Sequence, residues 1–176
     1  MTTGARLGEL LALTWNDVDL ADGSVMIIKA TQRIHGEQVT TTPKTQSGIR
    51  AISLPADVGQ VLKMWRVEQA EQRLRMSADW AAANLVFSGA RGQPLSANTV
   101  QDCLPRECDR LDLPRVTPHS LRHLHASLLL AEGLPITAVS KRLGHANAAV
   151  TMTIYAHALD NGDAQATEAI GRALAR

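Results

Sequence analysis

The sequence predicts a mainly α protein carrying a small three-stranded antiparallel β-sheet. Three observations lead there. From Pro55 onward, apolar residues recur at helical spacing. Between Ser24 and Leu54, three short runs rich in Val, Ile and Thr are separated by turn signals. And 176 residues, 45% hydrophobic and 20% charged, is the size and balance of one ordinary globular domain with a core of its own, which excludes general disorder.

Taken in order, Leu7, Leu10 and Leu11 place a short helix over Arg6 to Leu13, with Arg6 and Glu9 off the apolar stripe. Asp22-Gly23 is a turn, followed by a strand over Ser24 to Ile34. His35-Gly36 is a second turn, leading into a strand over Gln38 to Thr42. Lys44-Thr45-Gln46-Ser47-Gly48 is a third, leading into Ile49 to Leu54; the strands read as a meander. Val58, Val61, Leu62 and Trp65 then form one helix face. Ser96 caps a helix carrying Val100, Cys103, Leu104, Cys108 and Leu111, which Pro105 is expected to kink or divide. Thr117-Pro118 starts a helix over His119 to Glu132, closed by Gly133. Pro135 to Leu143 is the next, ended by Gly144. Asn147 caps a helix running past Tyr155, and Ala164 to Ala175 forms a terminal one.

Composition narrows the function. Eighteen basic against 17 acidic residues give +1, so any nucleic-acid site has to be local. Three Trp, one Tyr and one Phe are too few for a module that reads single strands by stacking bases on aromatics. Cys103 and Cys108 point about 140° apart on a helix and read as reduced core residues of a cytoplasmic protein. No run approaches the ~18 apolar residues of a membrane span, and the first residues lack a signal-peptide core. The helical pattern begins almost at Met1, so the chain is expected to start inside something larger.

Chemistry collects late in the chain. His119 and Arg122, three apart, share a face on the first turn of a capped helix, where free N–H groups and the dipole favour an anion. Leu121, Leu124, Leu128, Leu129 and Leu130 make the rest of that helix apolar nearly all round, so its body is expected to be buried. Such an end suits a phosphate; a surface Arg beside a satisfied core His reads the same way. His119 and His123 have the i, i+4 spacing of zinc ligands, but no Glu follows His119, and His123 reads better as packed. His125 adds to the same question. His145, thrown out at a helix-ending glycine, is either a donor aimed into a cleft or a solvated loop residue. Tyr155 flanks the stripe of Val150, Ile154 and Ala158, its hydroxyl at the surface or in a site.

The set is more specific than its members. Thr3-Gly4-Ala5-Arg6-Leu7-Gly8-Glu9-Leu10, Pro43-Lys44-Thr45, His119-Ser120-Leu121-Arg122-His123, Leu143-Gly144-His145 and Tyr155-Ala156-His157, in this order, resemble the catalytic domain of the tyrosine recombinases, the phage integrase family. The resemblance covers essentially the whole chain. It implies that Arg6 and Arg122 clamp the scissile phosphate and that Tyr155 attacks phosphorus to give a 3′-phosphotyrosyl link. It further implies that His119 helps accept the tyrosine proton, Lys44 protonates the leaving 5′ oxygen and His145 stabilises the transition state. Glu9 would orient the site, or else form a plain Arg–Glu surface pair. The implied reaction is site-specific recombination of double-stranded DNA in a homotetramer, with no cofactor and no metal. The helix Ala164 to Ala175 would dock on a neighbour or in its own chain.

The same resemblance makes residues 1–176 a catalytic domain truncated at its N-terminus, without the family's core-binding and arm-binding domains. Weak duplex binding without sequence preference is the corresponding expectation; a footprint at ~150 mM salt would contradict it. Three other functions share part of the pattern. They are a non-catalytic remnant that binds DNA or a partner recombinase, a type IB topoisomerase, and a metal-dependent hydrolase built on His119 and His123.

Overall fold

The computed structural model describes residues 2–42, 48–147, 149, 151 and 152, and its elements follow from where the chain can bury apolar side chains. Among the described residues, five bounded helices, α1 (Leu7–Leu11), α2 (Ala56–Met76), α3 (Ala97–Arg110), α4 (Pro118–Ala131) and α5 (Ile136–Leu143), accompany five short strands, and residues 149, 151 and 152 are also helical. These are β1 (Val18–Asp19), β2 (Ser24–Ile27), β3 (Ala30–Ile34), β4 (Glu37–Thr41) and β5 (Arg50–Ser53).

The strands differ from the expected single meander. The Ser24 to Ile34 run divides into β2 and β3. β2 lies between β1 and β5 in one antiparallel sheet, and β3 pairs only with β4 in a second. The cause is the side chains available for burial. β2 and β5 alternate strictly, with Val25, Ile27, Arg50 and Ile52 facing inward. Beyond Ile28, the residues Gln32, Arg33, Glu37, Gln38 and Thr40 are exposed and have nothing to offer the same core. The chain therefore turns away beside Lys29, whose Nζ lies 3.3 Å from Asp17 Oδ2. The hairpin closes through His35 and Gly36, both with positive φ (50° and 89°), as a two-residue loop requires.

The main core joins Ala5, Leu13, Trp15, Val18, Val25, Ile27, Ile52 and Val86. α2 supports it along Val58, Leu62, Trp65 and Gln69 rather than along the expected Val58, Val61, Leu62 and Trp65. Val61 lies about 70° off that line and is 64% exposed. Polar ends on this face are satisfied: Trp65 Nε1 donates to the Val86 carbonyl at 2.7 Å, and Gln69 Oε1 accepts from Trp15 Nε1 at 2.6 Å.

α3 begins as expected, with the Thr99 N–H donating to Ser96 Oγ, but it runs unbroken through Pro105. Gln101, whose carbonyl loses its N–H partner to the proline, is solvent-exposed. The neighbouring Asp102 carbonyl accepts Arg106 Nε at 2.8 Å. Cys108 is buried; Cys103, expected in the core, is exposed on the opposite side of the helix.

A second core forms where α4 meets α5, through Ala126, Leu130, Val139 and Leu143. α4 is not buried all round: Leu124 and Leu128 are exposed, because α5 covers only the Ala126–Leu130 side. Its start is fixed by a reciprocal cap. Ser120 N–H donates to Thr117 Oγ1 at 3.0 Å, and Thr117 N–H to Ser120 Oγ at 2.8 Å. α5 stops at Gly144, whose φ of 69° releases the chain toward His145. Among the described residues no helix is long and apolar enough to cross a membrane.

Candidate active site

The two cores bring the N-terminal turn, the start of α4 and the end of α5 together around a cleft of about 640 Å³. Arg6, His119, Arg122 and His145 line it, with Gln101 and Thr117 at its side. Four of the predicted site residues, Arg6 among them from more than a hundred positions earlier in the chain, thus line one cleft. Lys44, Tyr155 and the segment Ala164 to Ala175 lie outside the described residues.

Each side chain is held differently. Arg122 is buried, and its fork donates to the Gly4 carbonyl at 2.5 Å and the Leu143 carbonyl at 2.8 Å, tying α4 to both neighbouring turns. Gly4 has to be glycine here: its φ is 62°, and a Cβ would meet the His125 ring. Arg6 is half exposed. Its Nη1 donates to Glu9 Oε1 at 3.0 Å, and both terminal nitrogens reach the Gly144 carbonyl at 3.3 and 3.4 Å. His119 is exposed on the first turn of α4, and its Nε2 lies 2.6 Å from His123 Nε2. One of these nitrogens must donate and the other accept, so at least one of the two rings is neutral. Burial, then the charges of His119 and Arg122, push His123 below the ordinary histidine range.

His145 stands half-buried at the end of α5, with Nδ1 2.7 Å from Thr151 Oγ1. Burial, followed by the charges of Arg122, Arg6, Arg50 and His123, pushes it down to about 4, so the ring is neutral at pH 7.

Glu9 is not the surface pair that one reading of the sequence allowed. It is 4% exposed, and its principal partner is Arg50, which stands in none of the sequence motifs. Arg50 Nη1 and Nη2 meet Glu9 Oε1 and Oε2 at 3.2 and 2.8 Å, a fork on a carboxylate. Arg50 Nε donates to the Arg142 carbonyl at 2.7 Å, so one guanidinium joins β5, α1 and α5. Burial alone would raise the Glu9 pKa. The hydrogen bond and charge of Arg50, with the backbone N–H and charge of Arg6, outweigh it and leave the carboxyl below its ordinary range.

The inward parity of Arg50 with Ile52 on β5 was the available signal, since an arginine sharing the buried face of a strand needs a partner. Arg142 was also missed, and His125, weighed only as a metal ligand, is its partner. Arg142 Nε donates to His125 Nε2 at 3.2 Å, and its Nη2 caps the carbonyls of Thr2 and Ser53 at 3.1 Å each. Burial first, then Arg142 and Arg122, hold His125 at about 4.

Arg6 and Arg50 share the carboxylate of Glu9 while Arg122 donates to the Gly4 and Leu143 carbonyls, so three guanidiniums against one carboxylate leave the cleft beside them positive. Arg6 and Arg122 are fork donors that cannot lose their charge, and the neutral His145 adds a directional donor. Such a set suits a tetrahedral anion whose oxygens accept several hydrogen bonds at once.

Comparison with known proteins shows the family and the fold. A profile described as the phage integrase family matches residues 1–161. A tyrosine recombinase XerC-like protein of Caldanaerobacter subterraneus subsp. tengcongensis is 27% identical over 180 aligned positions, covering 96% of this chain and 46% of the relative. The integrase of Staphylococcus phage L54a is 30% identical over 165, covering 92% and 46%. The chain thus spans under half the length of these curated relatives. Among solved structures, the Tn1549 transposon integrase in complex with transposon right-end DNA superposes with a TM-score of 0.79 at 26% identity, over 95% of this chain and 55% of that one. The match over nearly all of the chain, together with the shared fold, establishes that this chain belongs to the phage integrase family.

Proposed function

We propose that this chain is the catalytic domain of a site-specific DNA recombinase that cleaves and rejoins duplex DNA through a 3′-phosphotyrosyl intermediate. The observation carrying this reading is the convergence of Arg6, His119, Arg122 and His145 on one positive cleft. Family membership adds the order of the remaining motifs, and the Tn1549 integrase, solved with DNA, supplies the substrate class by likeness.

In this reading Arg6 and Arg122 hold the non-bridging oxygens of the scissile phosphate, and His145 donates to one of them. Tyr155 attacks phosphorus as its proton passes toward His119. The P–O5′ bond breaks, and Lys44 protonates the departing 5′ oxygen to give a free hydroxyl. One phosphoester replaces another, so the step needs no nucleotide, cofactor or metal, and the reverse attack reseals the strand. Glu9 and Arg50 fix Arg6 and the Gly144 turn. Four protomers on two duplexes, in the cytoplasm, complete a strand exchange.

The test is cleavage of a duplex carrying a single scissile phosphate. Arg122→Ala and His145→Ala are each expected to slow cleavage at least about 10²-fold, the scale of removing one transition-state donor. Rates unchanged in both variants would count against the cleft as the reaction site. Duplex binding with no cleavage by the parent chain would favour a DNA-binding domain without chemistry.

A further inference from the structure

The contact at the end of the cleft wall says more about His145. Thr151 is completely buried, and its Oγ1 lies 2.7 Å from His145 Nδ1. A threonine within a helix ordinarily returns its hydroxyl to the carbonyl one turn back. Here that hydroxyl meets an imidazole six positions earlier, across the Gly144–Asn147 turn. A neutral imidazole carries one proton, and the bond made by one nitrogen decides which nitrogen holds it.

From this geometry we infer that Thr151 is a positioning residue for His145. Its hydroxyl donates to Nδ1 and holds the ring as the tautomer with the proton on Nε2. This rests on the cleft binding a phosphate diester, as proposed above. An anion needs a donor from the histidine, and an Nε2 lone pair facing phosphate oxygens would repel them. The alternative tautomer, with Nδ1–H donating to Thr151, presents that lone pair. A hydroxyl is suited to the task because it can donate to Nδ1, and its complete burial leaves no water to compete for it. Burial first, then the charged and titratable groups Arg122, Arg6, Arg50 and His123, keep the ring neutral well below pH 7.

The experiment has a spectroscopic arm that needs no DNA. Long-range ¹⁵N–¹H correlation of histidine-labelled protein at pH 7 is expected to show His145 with a protonated Nε2 and a bare Nδ1. Thr151→Ser should keep that pattern. Thr151→Val, of nearly the same shape, should shift the ring toward a mixture. A protonated Nδ1 in the parent protein, or an unchanged pattern in folded Thr151→Val, overturns the inference whatever the chain does to DNA.

A kinetic arm uses duplex cleavage. Thr151→Val should lower the rate about 10-fold with duplex affinity retained, the size of effect seen when a histidine's orienting partner is removed. It should have no further effect in a His145→Ala background. An equal loss in both backgrounds would mean that Thr151 acts on packing and not through His145. Loss of cleavage sensitivity to Arg122 and His145 with the spectrum as expected would refute the recombinase reading while leaving the tautomer assignment intact.

Discussion

At the scale of single residues, the account turns on Glu9 and Arg50. Both side chains are 4% exposed and joined by two hydrogen bonds, so removing either charge strands the other in a poorly solvated place. Glu9→Gln is expected to lower folding stability by about 3 kcal/mol in urea denaturation. Arg50→Lys, which keeps the charge but loses the fork, should also destabilise and should slow any cleavage the chain performs. Because the Glu9 pKa is depressed in the folded state, its stabilising contribution is complete above the ordinary value of 4.5 and is lost as pH falls through the folded value. Glu9→Gln should remove that acid dependence; an unchanged acid profile would show that the pair carries little of it. The sequence offered Glu9 only as an orienting group or a surface pair, because Arg6 was the sole cation visible three residues away. Its true partner is 41 positions on, and local spacing has no reach over that distance.

At the scale of elements, caps decide where the site residues stand. Thr117→Ala removes the side chain that accepts the Ser120 N–H and should cost about 1 kcal/mol, with fraying at the turn that carries His119. Gly144→Ala meets two obstacles: a φ of 69° and a Cβ that would press on the Arg50 guanidinium 2.6 Å away. The backbone alone costs about 1–2 kcal/mol, and displacement of Arg50 adds to it. Duplex cleavage should fall along with thermal stability; a fully active, equally stable variant would contradict the tight Gly144–Arg50 fit.

These boundaries were legible, because Thr117-Pro118, Ser96 and Leu143-Gly144 are local signals with a local cause. The topology of the strands was not. A Val, Ile and Thr-rich run looks alike whether it stays in one sheet or bends into a hairpin, and the outcome depended on which side chains the core could accept. Pro105 was read by its intrinsic effect on a helix, which here was offset by solvent access to Gln101 and by the Arg106 side chain. The exposure of Leu124 and Leu128 likewise reflects which face α5 covers, a fact of packing rather than of periodicity.

At the scale of the whole molecule, charge and protonation set the working range. His125 and His145 both sit at about 4 in the folded protein, below the ordinary 6.5. The unfolded chain therefore binds more protons between these values, and stability should fall as pH drops from about 6.5 toward 4, before the Glu9 contribution begins to fade. His125→Gln should flatten the upper part of that fall in denaturation curves taken across the window. In the proposed recombinase reading, a net charge of only +1 places the burden of DNA affinity on the local positive cleft, so duplex binding is expected to weaken with salt.

The family motifs were the most legible feature of all. Arg6, His119, Arg122 and His145 meet around one cleft because two separate cores dock the N-terminal turn against α4 and α5. The deciding experiment uses a nicked suicide duplex, incubated with the chain and with Tyr155→Phe and resolved on a denaturing gel. Tyr155 is the only tyrosine, so the account predicts a DNA-linked protein band that the substitution abolishes. A band that survives Tyr155→Phe, or a bound duplex that never becomes linked to the parent chain, would contradict it.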